Sequence, residues 1–142
     1  MRKLLLASHA YLAKGVLSSL EMIMGKQEQV DVICAYTEDP YDLRAEIQKR
    51  LDALDEQDEL IVVTDAFGGS VNNEFMSVVG SCGKKVHLVC GMNLSLAINL
   101  CEGRDENGET AEIIRTCLND ARDSLKYCND LLEAEEAADE EF

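Results

Sequence analysis

An open, mainly parallel α/β sheet with helices on both faces is the architecture this sequence predicts, with 2-1-3-4 supposed as the order of its core strands, and three observations predict the sheet. Four short apolar runs recur along the chain with helical patterns between them, the mark of successive βαβ units. The runs are nearly continuous rather than alternating, which suits strands covered on both faces. The 142 residues, 46% of them hydrophobic, are enough for one domain with a proper core and too few for two.

The first strand is predicted at about Lys3 to Ala7, where Leu4-Leu5-Leu6-Ala7 gives way to Ser8-His9. A helix follows from about Tyr11 to Met24, with Leu12, Val16, Leu20 and Ile23 near one face and Gly25 placed to end it. Val30 to Ala35 reads as the second strand. The next helix, about Asp42 to Leu54, repeats Leu43, Ile47, Leu51 and Leu54 at three- and four-residue steps. Leu60 to Thr64 is the third strand. A helix then begins at Ser70, whose hydroxyl is expected to cap it, and ends near Gly80. Val86 to Cys90 is the fourth strand, and a shorter helix follows Asn93. After the turn signal Arg104-Asp105-Glu106-Asn107-Gly108, one long helix from about Thr110 carries Ile114, Leu118, Ala121, Leu125, Cys128 and Leu132 as a stripe that should be buried on the sheet or on a partner subunit. Residues 1–132 are thus read as the domain. Residues 133–142, with six carboxylates and no base, are read as an acidic, disordered tail.

Composition prunes the functions. A net charge of −15 with no compensating Lys/Arg cluster disfavours nucleic acid and anionic membranes as partners. No apolar stretch is long enough to span a bilayer or to act as a signal peptide, so a cytoplasmic protein without direct membrane insertion is expected. The six cysteines form no C-x-x-C pair and read as small buried hydrophobes in a reducing compartment, so no metal site is expected. There is no Gly-x-x-x-x-Gly-Lys-Ser/Thr loop, no Gly-x-Gly-x-x-Gly after the first strand and no Gly-x-Ser-x-Gly elbow, so no cofactor is expected.

Two segments carry candidate chemistry. His9, one of only two histidines, stands where the first strand hands over to a helix, and Asp65 with Gly68-Gly69-Ser70 leaves the end of the third. With the order 2-1-3-4, these strands are neighbours at the point where the order reverses, where open sheets gather their function. A carboxylate accepting from one imidazole N–H fixes the tautomer and leaves the other nitrogen free to attack. Amides at a glycine-preceded helix start, with the Ser70 hydroxyl, would then receive the anionic oxygens of a phosphoryl group. Taken singly, each feature reads equally well as a surface histidine, a turn-forming Asp and an ordinary turn; the combination is what points to a site. His87, inside the fourth strand, reads as a partly buried structural histidine.

With both segments in view, the chain resembles the IIA component of the mannose family of the bacterial phosphoenolpyruvate-dependent sugar phosphotransferase system (PTS). The likeness covers about Lys3 to Leu100 and is carried by Ser8-His9 with Ala13 and Gly15, by Asp65-Ala66-Phe67-Gly68-Gly69-Ser70-Val71-Asn72-Asn73, and by Gly91-Met92-Asn93-Leu94. The resemblance implies a phosphoryl relay in which His9 accepts the group at Nε2 from the histidine phosphocarrier protein and passes it to a IIB component. It implies Asp65 as the partner of Nδ1, Gly68, Gly69 and Ser70 as the phosphate-contacting loop, and a homodimer that would cover the C-terminal stripe. Three positions depart from the family pattern. Ala10 stands where the family generally has Gly, which would strain the loop if that position needs a positive φ; Val71 replaces a Pro; and Ser95 stands where the family often has Pro. Two other readings use the same residues: a regulatory phosphohistidine module, and the phosphodonor subunit of a dihydroxyacetone kinase. Transfer onward to a IIB component separates the first of these from the relay.

Overall fold

Leu4 and Leu6 of the first strand are buried in one hydrophobic cluster while Leu5 and Ala7 are buried in another, so the sheet is covered on both faces. The computed structural model describes residues 1–140. Its elements alternate as β1 (Arg2–His9), α1 (Leu12–Met24), β2 (Val30–Ala35), α2 (Leu43–Asp52), β3 (Glu59–Thr64), α3 (Ser70–Val79), β4 (Lys85–Cys90), α4 (Leu94–Gly103), α5 (Thr110–Asp123) and α6 (Cys128–Glu140). The four strands are parallel in the order β2-β1-β3-β4, the order supposed for them. Ala13 and Leu20 of α1, Leu96 and Leu100 of α4 and Ile113 and Ile114 of α5 pack on one face; Ile47 and Leu51 of α2 and Val71 and Phe75 of α3 pack on the other. No helix among the described residues is long and apolar enough to cross a membrane.

Several boundaries move, each for a local reason. β1 runs through Ser8 and His9, because β2 stays in register beside it and pairs Ser8 with Cys34 and His9 with Ala35. On the other side β3 stops at Thr64, opposite Ala7. His9 is therefore the last residue of a strand that overhangs its neighbour. The buried stripe of α1 is Ala13, Val16 and Leu20, while Leu12 and Ile23 are exposed.

The largest difference lies in the last third. The expected long helix breaks at Ser124, the C-cap of α5, whose hydroxyl donates to the Ala121 carbonyl at 2.6 Å. Of the expected stripe only Ile114 and Ala121 are buried and Leu118 is half-buried, while Ile113 and Cys117 complete the buried face of α5. Beyond the break, Leu125 and Leu132 are exposed and α6 buries no side chain. The segment expected to be a disordered tail from 133 is helical to Glu140, in line with its Ala and Glu content; residues 141–142 of that expectation lie outside the described residues.

Candidate functional site

The overhang of β1 sets the site. His9 presents its backbone amide and its ring to the first residue after β3, and Asp65 Oδ2 accepts from both, from the amide at 2.7 Å and from Nδ1 at 2.7 Å. The other oxygen, Oδ1, accepts from the Ala66 amide at 2.9 Å. Burial pushes the Asp65 carboxyl up, but the amides of His9 and Ala66 and the imidazole outweigh it and hold the group below the usual carboxylate range. An ionised carboxylate can only accept, so Nδ1 carries a proton, and in the neutral imidazole Nε2 is then the bare nitrogen.

Nε2 meets the hydroxyl of Ser70 at 3.0 Å. The expectation that Ser70 caps α3 is corrected here: Gly69 occupies the N-cap, no side chain caps the helix, and Ser70 is its first residue. A cap hydroxyl would be spent on an amide one turn ahead; this one is free for the imidazole. Amides in the first turn of α3 lack intrahelical partners and carry the positive end of the helix dipole. The His9 side chain is 46% exposed and that of Asp65 only 11%. The imidazole is thus open to solvent while the acid it pairs with is shielded.

The glycines serve the approach. Gly68 adopts φ +77°, a left-handed conformation that side chains resist. A Cβ on Gly69 would come within 3.3 Å of the Ala66 carbonyl oxygen, a tight contact, and would touch Cε1 of His9 at 3.5 Å. Two asparagines to which the sequence reading gave no role brace this turn. Buried Asn72 accepts from the Gly68 amide at 3.3 Å and donates to Thr64 Oγ1 at 3.0 Å, and Asn73 donates to the Gly68 carbonyl at 3.0 Å. Their signal in the sequence was only their place after Gly-Gly-Ser.

All five predicted site residues, His9, Asp65, Gly68, Gly69 and Ser70, fall in one locality. Two further features are new. Ala10 has φ +48°, so the position after the histidine does take the left-handed conformation in which Ala is strained. Tyr36, just beyond β2, also has a positive φ, and its ring lies against His9 with centroids 5.5 Å apart. His87 is half-buried on β4 and faces Glu59 through Nε2 at 3.2 Å, far along the sheet from this cluster.

Comparison with known proteins identifies a family and a shared fold. A family model described as EIIA-man, PTS system fructose IIA component, matches residues 3–118. Among solved structures, a candidate phosphoenolpyruvate-dependent sugar PTS permease from Klebsiella pneumoniae is 40% identical, with a TM-score of 0.85 over 92% of this chain and 93% of that one. A PTS component EIIA from Streptococcus agalactiae is 26% identical, with a TM-score of 0.79 over 92% of this chain and 99% of that one. A PTS IIA protein associated with the fucose utilization operon of Streptococcus pneumoniae is 28% identical, with a TM-score of 0.74 over 92% of this chain and 96% of that one.

Proposed function

This chain belongs to the EIIA-man family of PTS IIA components, whose work is phosphotransfer in sugar uptake, and on that premise we propose that His9 is the residue that carries the phosphoryl group. The observation that supports this most directly is the imidazole held between an ionised carboxylate on Nδ1 and a hydroxyl on Nε2, in a side chain that is about half exposed.

In this reading the donor is the phosphorylated histidine phosphocarrier protein. The Nε2 lone pair of His9 attacks phosphorus, a P–N bond forms at His9, and the P–N bond of the donor breaks with its electron pair returning to the donor imidazole. Asp65 keeps the proton on Nδ1 and balances the positive charge that the ring gains as Nε2 becomes bonded. The Ser70 hydroxyl, released from Nε2, turns to a phosphoryl oxygen beside the first amides of α3. Positioning and electrostatics supply most of the effect, as is usual for phosphoryl transfer. The same steps in reverse pass the group to a IIB component, regenerating neutral His9. The net charge of −15 would steer a donor with a basic face toward this protein.

A homodimer belongs to the same reading, supported by the exposed Leu125, Leu131 and Leu132. Sedimentation equilibrium checks it, a monomer at tens of micromolar refuting it. The decisive experiment is labelling with phosphoenolpyruvate and the general donor proteins: wild type takes up one acid-labile phosphoryl group and His9→Ala takes up none. Label retained on His9→Ala would refute the assignment, and label that never moves to a IIB component would favour the regulatory module.

A further inference from the structure

We propose that Tyr36 is a positioning residue of the phosphoryl transfer, acting through Ser70 to fix the donor that faces Nε2 of His9; the inference rests on the phosphoryl-carrier reading of His9. Neither the sequence pattern nor the family match singles Tyr36 out. Three observations bring it forward.

The first is its backbone. Tyr36 follows directly on β2 and holds φ +64°. A bulky aromatic residue is seldom found there, because its Cβ crowds the carbonyl, at a cost of about 1–2 kcal/mol. Such a conformation persists only where the surroundings over-determine it. The second is what that conformation achieves. It carries the phenol across the carboxyl ends of the strands, so that Oη lies 2.9 Å from Ser70 Oγ, on a helix 34 residues further along the chain. The third is the support behind the ring. Tyr36 packs tilted on His9 at 5.5 Å and edge-on against Tyr41 at 5.7 Å, and Tyr41 is itself packed against the α2/α3 core.

The direction of the hydrogen bonds follows from counting protons. In the neutral, attacking form of His9 Nε2 is bare, so the contact at 3.0 Å uses the one proton of the Ser70 hydroxyl. Ser70 then has only lone pairs to offer Tyr36, and the phenol must donate. The chain runs Tyr36 O–H to Ser70 Oγ and Ser70 O–H to Nε2, each bond strengthening the next. An exposed serine without this tether would sample three χ1 rotamers, and only one places its hydroxyl at the ring. With the tether it is held ready to give its proton to the nitrogen at rest and to a phosphoryl oxygen once the nitrogen is occupied. Asp65 thus aligns the imidazole from Nδ1, and Tyr36 aligns the donor that faces Nε2.

The test is a double-mutant cycle read in phosphorylation kinetics with the phosphorylated histidine phosphocarrier protein, with folding of each variant checked by thermal melting. Tyr36→Phe keeps the ring and removes only the hydroxyl. It should lower kcat by about five-fold, the loss of one neutral hydrogen bond, with KM unchanged. Ser70→Ala should lower kcat further, and the double variant should match Ser70→Ala, since the phenol acts only through the serine. Multiplicative losses in the double variant, wild-type kinetics in Tyr36→Phe, or a raised KM with unchanged kcat would each overturn the proposal, the last by making Tyr36 a docking contact. Tyr36→Asn suits the left-handed backbone and removes the phenol by another route; it should show the same dependence on Ser70. Label retained on His9→Ala would defeat the carrier reading itself, whereas its loss alongside a wild-type Tyr36→Phe would defeat the Tyr36 proposal alone.

Discussion

Both histidines of this chain face a carboxylate, and the two carboxylates stand at opposite ends of β3, yet the two pairs have opposite surroundings. Asp65 leaves the carboxyl end of β3 and holds His9; Glu59 opens its amino end and meets His87. The Glu59 carboxylate is already engaged. It accepts from the Thr110 hydroxyl at 2.6 Å and lies 3.6 Å from Nε of Arg2, whose guanidinium also donates to the carbonyls of Arg104, Glu106 and Gly108. That cluster is a latch tying the α4–α5 connection to the first strand. His87 is one strand residue within it, in register with Ile61. At the other end, the second nitrogen of His9 faces a hydroxyl and the start of a helix, with solvent beyond. A carboxylate beside an imidazole is therefore not a site by itself. What distinguishes the two is whether the remaining ring nitrogen has something to act on and room for it to arrive.

The sharpest way to break this contrast is to neutralise each acid. Asp65→Asn can still bond the ring but can offer Nδ1 a donor as readily as an acceptor, so the tautomer that bares Nε2 is no longer enforced. We expect phosphorylation of His9 to slow about 100-fold, the scale of a mispositioned reacting group, with the melting temperature little changed. Glu59→Ala should leave the transfer rate within about two-fold of wild type, a change too small to register as a lost catalytic contact. Equal rate losses in the two variants, measured by rapid-quench labelling, would erase the distinction.

Stability should reverse the order. Removing the Glu59 carboxylate takes the acceptor from the Thr110 hydroxyl, the partner from His87 and the counter-charge from Arg2, and should cost about 1–3 kcal/mol at neutral pH. The effect has a pH signature. The Thr110 hydroxyl holds the Glu59 carboxyl below the usual carboxylate range, burial opposes it, and the bond from His87 adds to the lowering. A group whose pKa is lower folded than unfolded contributes stability that is full above the unfolded value and is lost as pH falls through the folded one. The gap between wild type and Glu59→Ala in urea unfolding should therefore be constant near neutrality and narrow below about pH 4.3, where the unfolded carboxyl begins to protonate. A gap that widens in acid would refute the latch.

How much of this the sequence disclosed follows from how local each cause is. The strands and the two-faced core were legible because runs such as Leu4 to Ala7 and stripes such as Leu43, Ile47, Leu51 and Leu54 record burial directly, whereas the strand order leaves no such mark. His9, Asp65 and the Gly68-Gly69-Ser70 turn were legible as residue types at strand ends. Tyr36 was not, because its part depends on a backbone angle and on a helix 34 residues away, neither of which leaves a mark in composition or period. Ser70 was read as a cap because Ser at a helix start usually is one; only the shift of the cap to Gly69 frees its hydroxyl. The break at Ser124 was hidden for the opposite reason: the apolar stripe continues through it, and the helix ends there without interrupting the pattern.

The smallest expected effect probes a last asymmetry between the two histidines. His87 sits in regular strand, whereas His9 is followed by Ala10 at φ +48°. The left-handed conformation costs an alanine about 1–2 kcal/mol, and glycine would relieve that while adding about 0.5–1 kcal/mol of unfolded-chain entropy. Ala10→Gly should accordingly gain about 0.5–1 kcal/mol and raise the melting temperature by about 2–4 °C. The transfer rate should hold, because His9 is fixed by Asp65 through both its amide and its ring rather than by the residue after it. Were the rate to fall while stability rose, the strain at Ala10 would itself be part of how the imidazole is aimed, as strained backbone at functional sites can be. Were stability to fall, the loop would not be strained as its backbone angle indicates.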